Sequence, residues 1–282
     1  MSRFASYDGT MLAYDRLGAG PPLVCLPGGP ARHPVYFGDL GGLGEAASRQ
    51  LVMLHTRGTG DSAEPEDLSS YRCDRQVEDV EALRRHLGLE QMDLLAHSAG
   101  GNMAILYAAR YPGRIRRLVL LTSGLRSLGL MPPPGEEREA PLRQRSGEPW
   151  YETALAAFRE AQTGRDSTAR LLKYAPFYYG RWDEAARRHV LVGVEPRGAR
   201  IGARYYAAGA FDPEATRAAL AKLPARVLLY AGQLDFIPPP RLAARAAEMF
   251  PRSELAIQPR AGHYPWLDDP VWLSRVIARF LR

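Results

Sequence analysis

The sequence predicts an α/β protein: a largely parallel sheet, helices on both of its faces, and a helical segment inserted between two strands. Three observations lead there. Short apolar runs bounded by Gly and Pro alternate with segments of helical period through residues 1–124, and again from 223 to 282. Between about Gly124 and Leu223 that rhythm lapses, and no buried strand can be read. The length, 282 residues, suits one large α/β domain or two smaller ones. We therefore place a core at 1–124 and 223–282 and a helical cap at 125–222.

The elements follow in chain order. Leu12 to Leu17 reads as an early strand, and Pro22 to Leu26 as a buried one running into Pro27-Gly28-Gly29-Pro30. Gln50 to His55 is a third, followed by Arg57-Gly58-Thr59-Gly60. Residues 74–87 place Val77, Val80, Leu83 and Leu87 at helical spacing, with Gly88 as the stop. Met92 to Ala96 is a strand, Ala99 to Ala109 a helix and Arg117 to Thr122 a strand. After the insertion come strands at 226–230 and 254–257, with helices at 240–249 and 270–281. Asp268 and Asp269, just before Pro270, are read as caps of the last helix. The insertion opens with Met131-Pro132-Pro133-Pro134-Gly135, a hinge or a rigid lead-in. It continues through helical pieces rich in rings, among them Trp150, Phe158, Tyr174, Phe177, Tyr178, Tyr179 and Trp182.

Composition excludes several classes. Hydrophobic residues make up 46% and charged residues 24%, ordinary globular usage that argues against disorder. No window approaches the roughly 18 apolar residues of a membrane helix, and residues 1–9 lack the apolar stretch of a secretory signal, so a cytoplasmic protein is expected. The net charge is +6, but all the basic residues except Lys173 and Lys222 are arginines scattered along the chain. Without a basic tail or a recognisable reading motif, no nucleic-acid partner is expected. Two cysteines make no disulfide framework, and Cys25, inside an apolar run, reads as a buried thiol. No Cys/His spacing suggests a metal, and no cofactor is expected.

The chemistry concentrates at Leu94-Leu95-Ala96-His97-Ser98-Ala99-Gly100-Gly101. A strand ends, a serine sits in a tight turn among small residues, and a helix begins. This is the nucleophile elbow G-x-S-x-G with Ala96 at its first position. A nucleophilic serine needs a base, and the base an orienting carboxylate. Two histidines lie downstream. His189 stands among arginines in the cap and is expected to be solvated; His263 sits in a Gly- and Pro-bounded loop after the last strand, where a base belongs. Asp235 follows the strand after the cap, and the alternative site after Thr122 offers Ser123 and Gly124 with no carboxylate. For the oxyanion hole we expect the N–H of Ala99 and one from Gly29, with Gly28 as second choice.

At this point the chain resembles the α/β-hydrolase superfamily, and within it the proline iminopeptidase-like branch. The matches run in order: Pro27-Gly28-Gly29-Pro30-Ala31 for H-G-G-P-G, His55 to Ser62 for D-x-R-G-x-G-x-S, the elbow at Ala96–Gly101, the acid segment Gly232–Asp235 and the base segment Gly262–Trp266. They span essentially the whole chain and are strongest outside the cap. The resemblance implies a mostly parallel eight-stranded sheet with a helical cap inserted after the sixth strand. It also implies structural roles for Arg57 and for His97, the latter facing away from the substrate. Pro27 and His55 depart from the family's leading His and Asp. Prolyl aminopeptidases hold the substrate amine with cap acids, for which Glu195, Glu184 and Glu152 are the candidates here; Tyr178 and Trp182 are candidate pocket rings.

The expected activity is a cofactor-free serine hydrolase acting on an ester, thioester, lactone or small amide through an acyl-enzyme on Ser98. The alternatives are a prolyl aminopeptidase, and a non-hydrolytic biosynthetic or ligand-binding protein on the same scaffold. Serine at the elbow argues against dehalogenase and epoxide-hydrolase chemistry, which use Asp there. The expected partner is a small-molecule substrate, and the expected state a monomer or homodimer away from membranes.

Overall fold

The computed structural model describes residues 1–282 except 133–134, 165–167 and 196. Its sheet has eight strands: β1 (Ser2–Ala5), β2 (Met11–Leu17), β3 (Pro22–Leu26), β4 (Gln50–Leu54), β5 (Met92–His97), β6 (Ile115–Leu121), β7 (Arg226–Gly232) and β8 (Ser253–Gln258). They lie in the order β1-β2-β4-β3-β5-β6-β7-β8. β2 runs antiparallel to β1 and β4, and every other pairing is parallel. The strand β1 is absent from the sequence reading because a four-residue strand with only Phe4 buried leaves no periodicity to detect.

Alternate residues of the strands feed two cores. Val24, Leu26, Val52, Leu94, Ala96 and Leu118 face one, and Leu23, Cys25, Leu51, Leu95 and Val119 the other. The helices are α1 (Leu43–Ala46), α2 (Cys73–His86), α3 (Gly100–Arg110), α4 (Glu136–Glu139), α5 (Tyr151–Gln162), α6 (Thr168–Tyr174), α7 (Glu184–His189), α8 (Gly198–Tyr205), α9 (Pro213–Leu220), α10 (Pro240–Ala247), α11 (Pro265–Asp268) and α12 (Pro270–Phe280). α2 ends as expected, with Gly88 in the left-handed region just past its last turn. Among the described residues no helix is long and apolar enough to cross a membrane.

Among the described residues, only helical elements lie between β6 and β7. α5 and α6 pack on each other around Tyr151, Phe158, Tyr174 and Phe177, with Phe236 of the acid loop closing the cluster. α9 instead returns to the sheet. It packs on α3, and Leu220 and Leu223 join the first core. Of the Pro-rich lead-in, Pro133 and Pro134 lie outside the described residues.

The strand order positions the site. β3 is flanked by β4 on one side and β5 on the other, so the sheet's winding reverses there. Ligands of such sheets bind at the carboxyl ends of strands beside the reversal. Leu26 pairs with Ala96, which sets the Gly28-Gly29 loop directly against the turn holding Ser98.

Candidate active site

Ser98 leaves β5 with φ +50°, a left-handed conformation that a serine adopts only when its surroundings force it. Its N–H donates to the Leu121 carbonyl, and its own carbonyl accepts from Gly101 and Gly124. The turn is pinned from both sides, and its side chain is raised toward the strand ends. A Cβ on Gly28 would lie 2.6 Å from the Ser98 Cβ, so only glycine lets the loop pass this close.

His263 Nε2 stands 2.9 Å from Ser98 Oγ, and His263 Nδ1 2.9 Å from Asp235 Oδ2. Asp235 is fully buried; its other oxygen accepts from the Ile237 N–H. With Nδ1–H committed to Asp235, Nε2 is left as the acceptor for the serine hydroxyl proton. The structure thus brings Ser98, His263 and Asp235 into one hydrogen-bonded line.

Gly28 and Gly29 separate cleanly. The Gly28 N–H donates to Tyr36 Oη at 2.8 Å, whereas Gly29 and Ala99 line the cavity above Ser98. Neither of those two N–H groups has a partner among the described residues. The second choice, Gly28, is therefore already spent on Tyr36. Tyr36 in turn bonds His97 Nδ1 at 2.7 Å, and His97 Nε2–H donates to the His263 carbonyl at 3.0 Å. Burial, with His263 and Arg32 nearby, holds His97 neutral, well below the usual imidazole range. His97 lies in the cavity wall, with both ring nitrogens committed to this brace. Sequence reasoning missed Tyr36; a tyrosine on a short 3₁₀ turn carries no local signal of its partner.

The cavity over Ser98 holds about 260 Å³. Tyr178, Val190, Tyr206 and Ile237 give it an apolar wall, and Arg32 supplies its charge. No carboxylate lines it among the described residues. The cap candidates divide accordingly. Tyr178 is in the wall, and its carbonyl accepts from the His263 N–H. Trp182 instead packs on Tyr179 behind the wall, its ring beneath Arg187. Glu195 accepts from the Gly60 N–H at 2.7 Å and faces a neighbouring depression. Glu184 pairs with Arg188, and Glu152 is exposed.

Two further expectations are corrected. His189 is buried, not solvated: Tyr179 Oη bonds its Nδ1 and the Tyr36 carbonyl its Nε2, and burial beside Arg32 lowers its pKa to about 4. The arginines next to it in sequence point elsewhere. Asp268 does not cap the last helix. Asp269 does so through the Trp272 N–H, while Asp268 accepts from Gly180, Arg181 and Gly262 and ties the inserted segment to the loop carrying His263. Arg57 is structural, buried against Asp79 and Asp8. Burial pushes the Cys25 thiol up, as expected of an inert core cysteine.

His33, His55 and Asp61 bring ligand-type atoms within 4.8 Å of one another. However, His33 Nδ1 accepts from Val35, and His55 Nδ1 accepts from Asp61 while its Nε2 bonds Asp15. In each ring the Nδ1 acceptor is taken by a backbone N–H, so this cluster fits a hydrogen-bonded loop junction better than a metal centre.

A family model described as alpha/beta hydrolase fold matches residues 21–270. A proline iminopeptidase of Lactobacillus helveticus is 39% identical over 111 residues, which cover 39% of this chain and 38% of that protein. Among solved structures, an esterase from Exiguobacterium antarcticum superposes with a TM-score of 0.75 at 19% identity, covering 99% of this chain and 98% of that one. A proline iminopeptidase from Mycobacterium smegmatis gives 0.74 at 20% identity, covering 99% and 97%. The chain spans about two fifths to one half of the length of the curated relatives it matches.

Proposed function

As this chain belongs to the alpha/beta hydrolase fold family, we propose that it is a serine hydrolase cleaving an ester, thioester, lactone or small amide. The observation that carries this reading is the line Ser98–His263–Asp235, set at a strained turn beside the N–H groups of Gly29 and Ala99. Ser98 Oγ attacks the carbonyl carbon as His263 Nε2 takes its proton. Asp235 keeps the imidazole in the required tautomer and stabilises the imidazolium. The Gly29 and Ala99 N–H groups receive the oxyanion, an interaction worth roughly 2.7–4 kcal/mol of barrier per donor. His263 then gives its proton to the leaving group. Water, deprotonated by the same base, releases the acyl group and restores Ser98. Residues 125–222 act as the cap that shields these steps. The protein works in the cytoplasm on a small molecule, as a monomer or homodimer, without nucleic acid or membrane.

The curated relatives favour a second reading, release of N-terminal proline. It calls for a carboxylate to hold the substrate's ammonium, and the described cavity wall offers Arg32 instead. The test compares a short-chain p-nitrophenyl ester with proline p-nitroanilide, each with wild type and Ser98→Ala. Ester turnover that drops ~10³-fold or more in Ser98→Ala, at unchanged melting temperature, is the expected result. Cleavage of the proline amide that depends on Ser98 would establish the second reading. Undiminished ester turnover in Ser98→Ala would refute the mechanism.

A further inference from the structure

Among the described residues, Arg32 is the cation of the catalytic cavity, and no carboxylate answers it. Its Nε donates to the Val192 carbonyl at 2.9 Å, one terminal nitrogen to the His189 and Val190 carbonyls, and the other to Tyr264 Oη at 2.6 Å. The guanidinium also lies 4.5 Å from the Tyr36 ring centre and 5.3 Å from that of Tyr264. All of these partners are neutral. Elsewhere the chain treats its enclosed arginines differently: Arg57 is paired with Asp79 and Asp8, Arg49 with Asp93, and Arg84 with Glu81. A guanidinium withdrawn from water without a counter-charge is costly, and dipoles and rings offset only part of that cost.

Among the described residues, the geometry also leaves donors free. A guanidinium has five N–H groups, and the bonds named account for four. The remaining hydrogen is on the nitrogen that also serves Tyr264. The Tyr264 hydroxyl accepts from Arg32, and its own hydrogen has no acceptor among the described residues. Two donors therefore sit side by side on a residue pair that lines the same small cavity as Ser98. A carboxylate is the group that would take both and supply the missing charge.

We infer that the substrate carries a carboxylate a few bonds from its scissile carbonyl, bound by Arg32 and Tyr264; this rests on the hydrolase reading above. Arg32 follows closely on Gly29 in the same loop, so an anion held there is placed by the segment that also receives the oxyanion. Tyr178, Val190, Tyr206 and Ile237 give the wall an apolar stretch that suits a short aliphatic or aromatic spacer. The same cation repels an ammonium group, which sets this chain apart from enzymes that recognise a free amine.

The test uses a matched pair, mono-p-nitrophenyl adipate and its methyl ester, which differ in the charge and by one methyl group; the Arg32 variants separate the two effects. The readout is the ratio of their kcat/KM values. Wild type is expected to favour the acid roughly tenfold or more, the effect of a charge-assisted hydrogen bond. Arg32→Gln should bring the ratio close to one, while Arg32→Lys should keep part of it. If Arg32 only latches the cap, both substrates suffer together and the ratio stays put, which overturns the inference. A wild-type ratio of one or below overturns it as well and leaves the hydrolase reading intact. Binding of monomethyl adipate and dimethyl adipate to Ser98→Ala, by calorimetry, separates the two claims and needs no Arg32 variant to fold. Tighter binding of the monoacid without turnover of either ester would uphold the anion site and refute the hydrolase. Equal binding of both would remove the anion site.

Discussion

A Cβ at Gly28 would stand 2.6 Å from the Ser98 Cβ and 3.1 Å from the His97 carbonyl, both held in a pinned turn. Gly28→Ala is expected to cost about 1–3 kcal/mol in urea unfolding and to lower kcat by displacing Ser98 from His263. Tyr36→Phe removes one hydroxyl but strands two groups, the Gly28 N–H and His97 Nδ1. Its expected cost is about 1–3 kcal/mol, with a further loss of kcat because the oxyanion loop and base loop lose their brace. Arg57→Met should cost more, about 3–5 kcal/mol, since it leaves the buried Asp79 carboxylate unpaired; kcat of the folded fraction should not change. At this scale the sequence was informative wherever a candidate group lies in a local motif, and the fold brings those candidates together. Ser98, Asp235 and His263 each stand in a short loop bounded by small residues, and each could be read. The order Gly29 before Gly28 was also an expectation, but its physical reason, the Gly28 N–H bound to Tyr36, appears only in the fold. Arg32 gave no signal, since its carbonyl partners lie in the cap and only the fold brings them near.

Among the elements, α11 and α12 meet at two adjacent aspartates with different duties. Asp269→Ala removes a helix cap and should cost about 1 kcal/mol without altering kcat. Asp268→Ala removes the shared acceptor of Gly180, Arg181 and Gly262. It should lower stability by more and also reduce kcat, because Gly262 immediately precedes the base. Urea titration and the ester assay on the two variants read the contrast. Sequence patterning gave the two aspartates one role, since a helix start is a local feature and a tie between distant loops is not. The same reasoning covers the strands. β5, buried at every position, was plain, while β1 is too short and too exposed to register. The rings of the insertion divided by depth: Phe158 and Phe177 pack its helices together, whereas Tyr178 and Tyr179 reach the cavity.

For the whole molecule, the buried histidines set an acid limit. An unfolded chain protonates His189 near pH 6.5, whereas the folded chain resists until about 4. Between those values only the unfolded state takes the proton, so stability falls as pH drops from about 6.5 to 4. The gap corresponds to ~3 kcal/mol, and His97, also held neutral by burial, adds in the same direction. Melting temperatures across this range should fall with acid, and His189→Gln should flatten the slope; an unchanged slope would show that His189 does not set it. The ties between the inserted helical segment and the sheet loops have a consequence for traffic. Arg32 holds the 189–192 carbonyls, Asp268 holds Gly180 and Arg181, and Glu195 holds Gly60. Three such ties fasten residues 180–195 over the chamber. Leu171 and Val194, with Gly29 and Arg32, line both the chamber and the neighbouring depression. Leu171→Ala and Val194→Ala are expected to widen that shared wall and raise kcat/KM for bulkier esters, read across a series of p-nitrophenyl esters, with the short-chain ester unaffected.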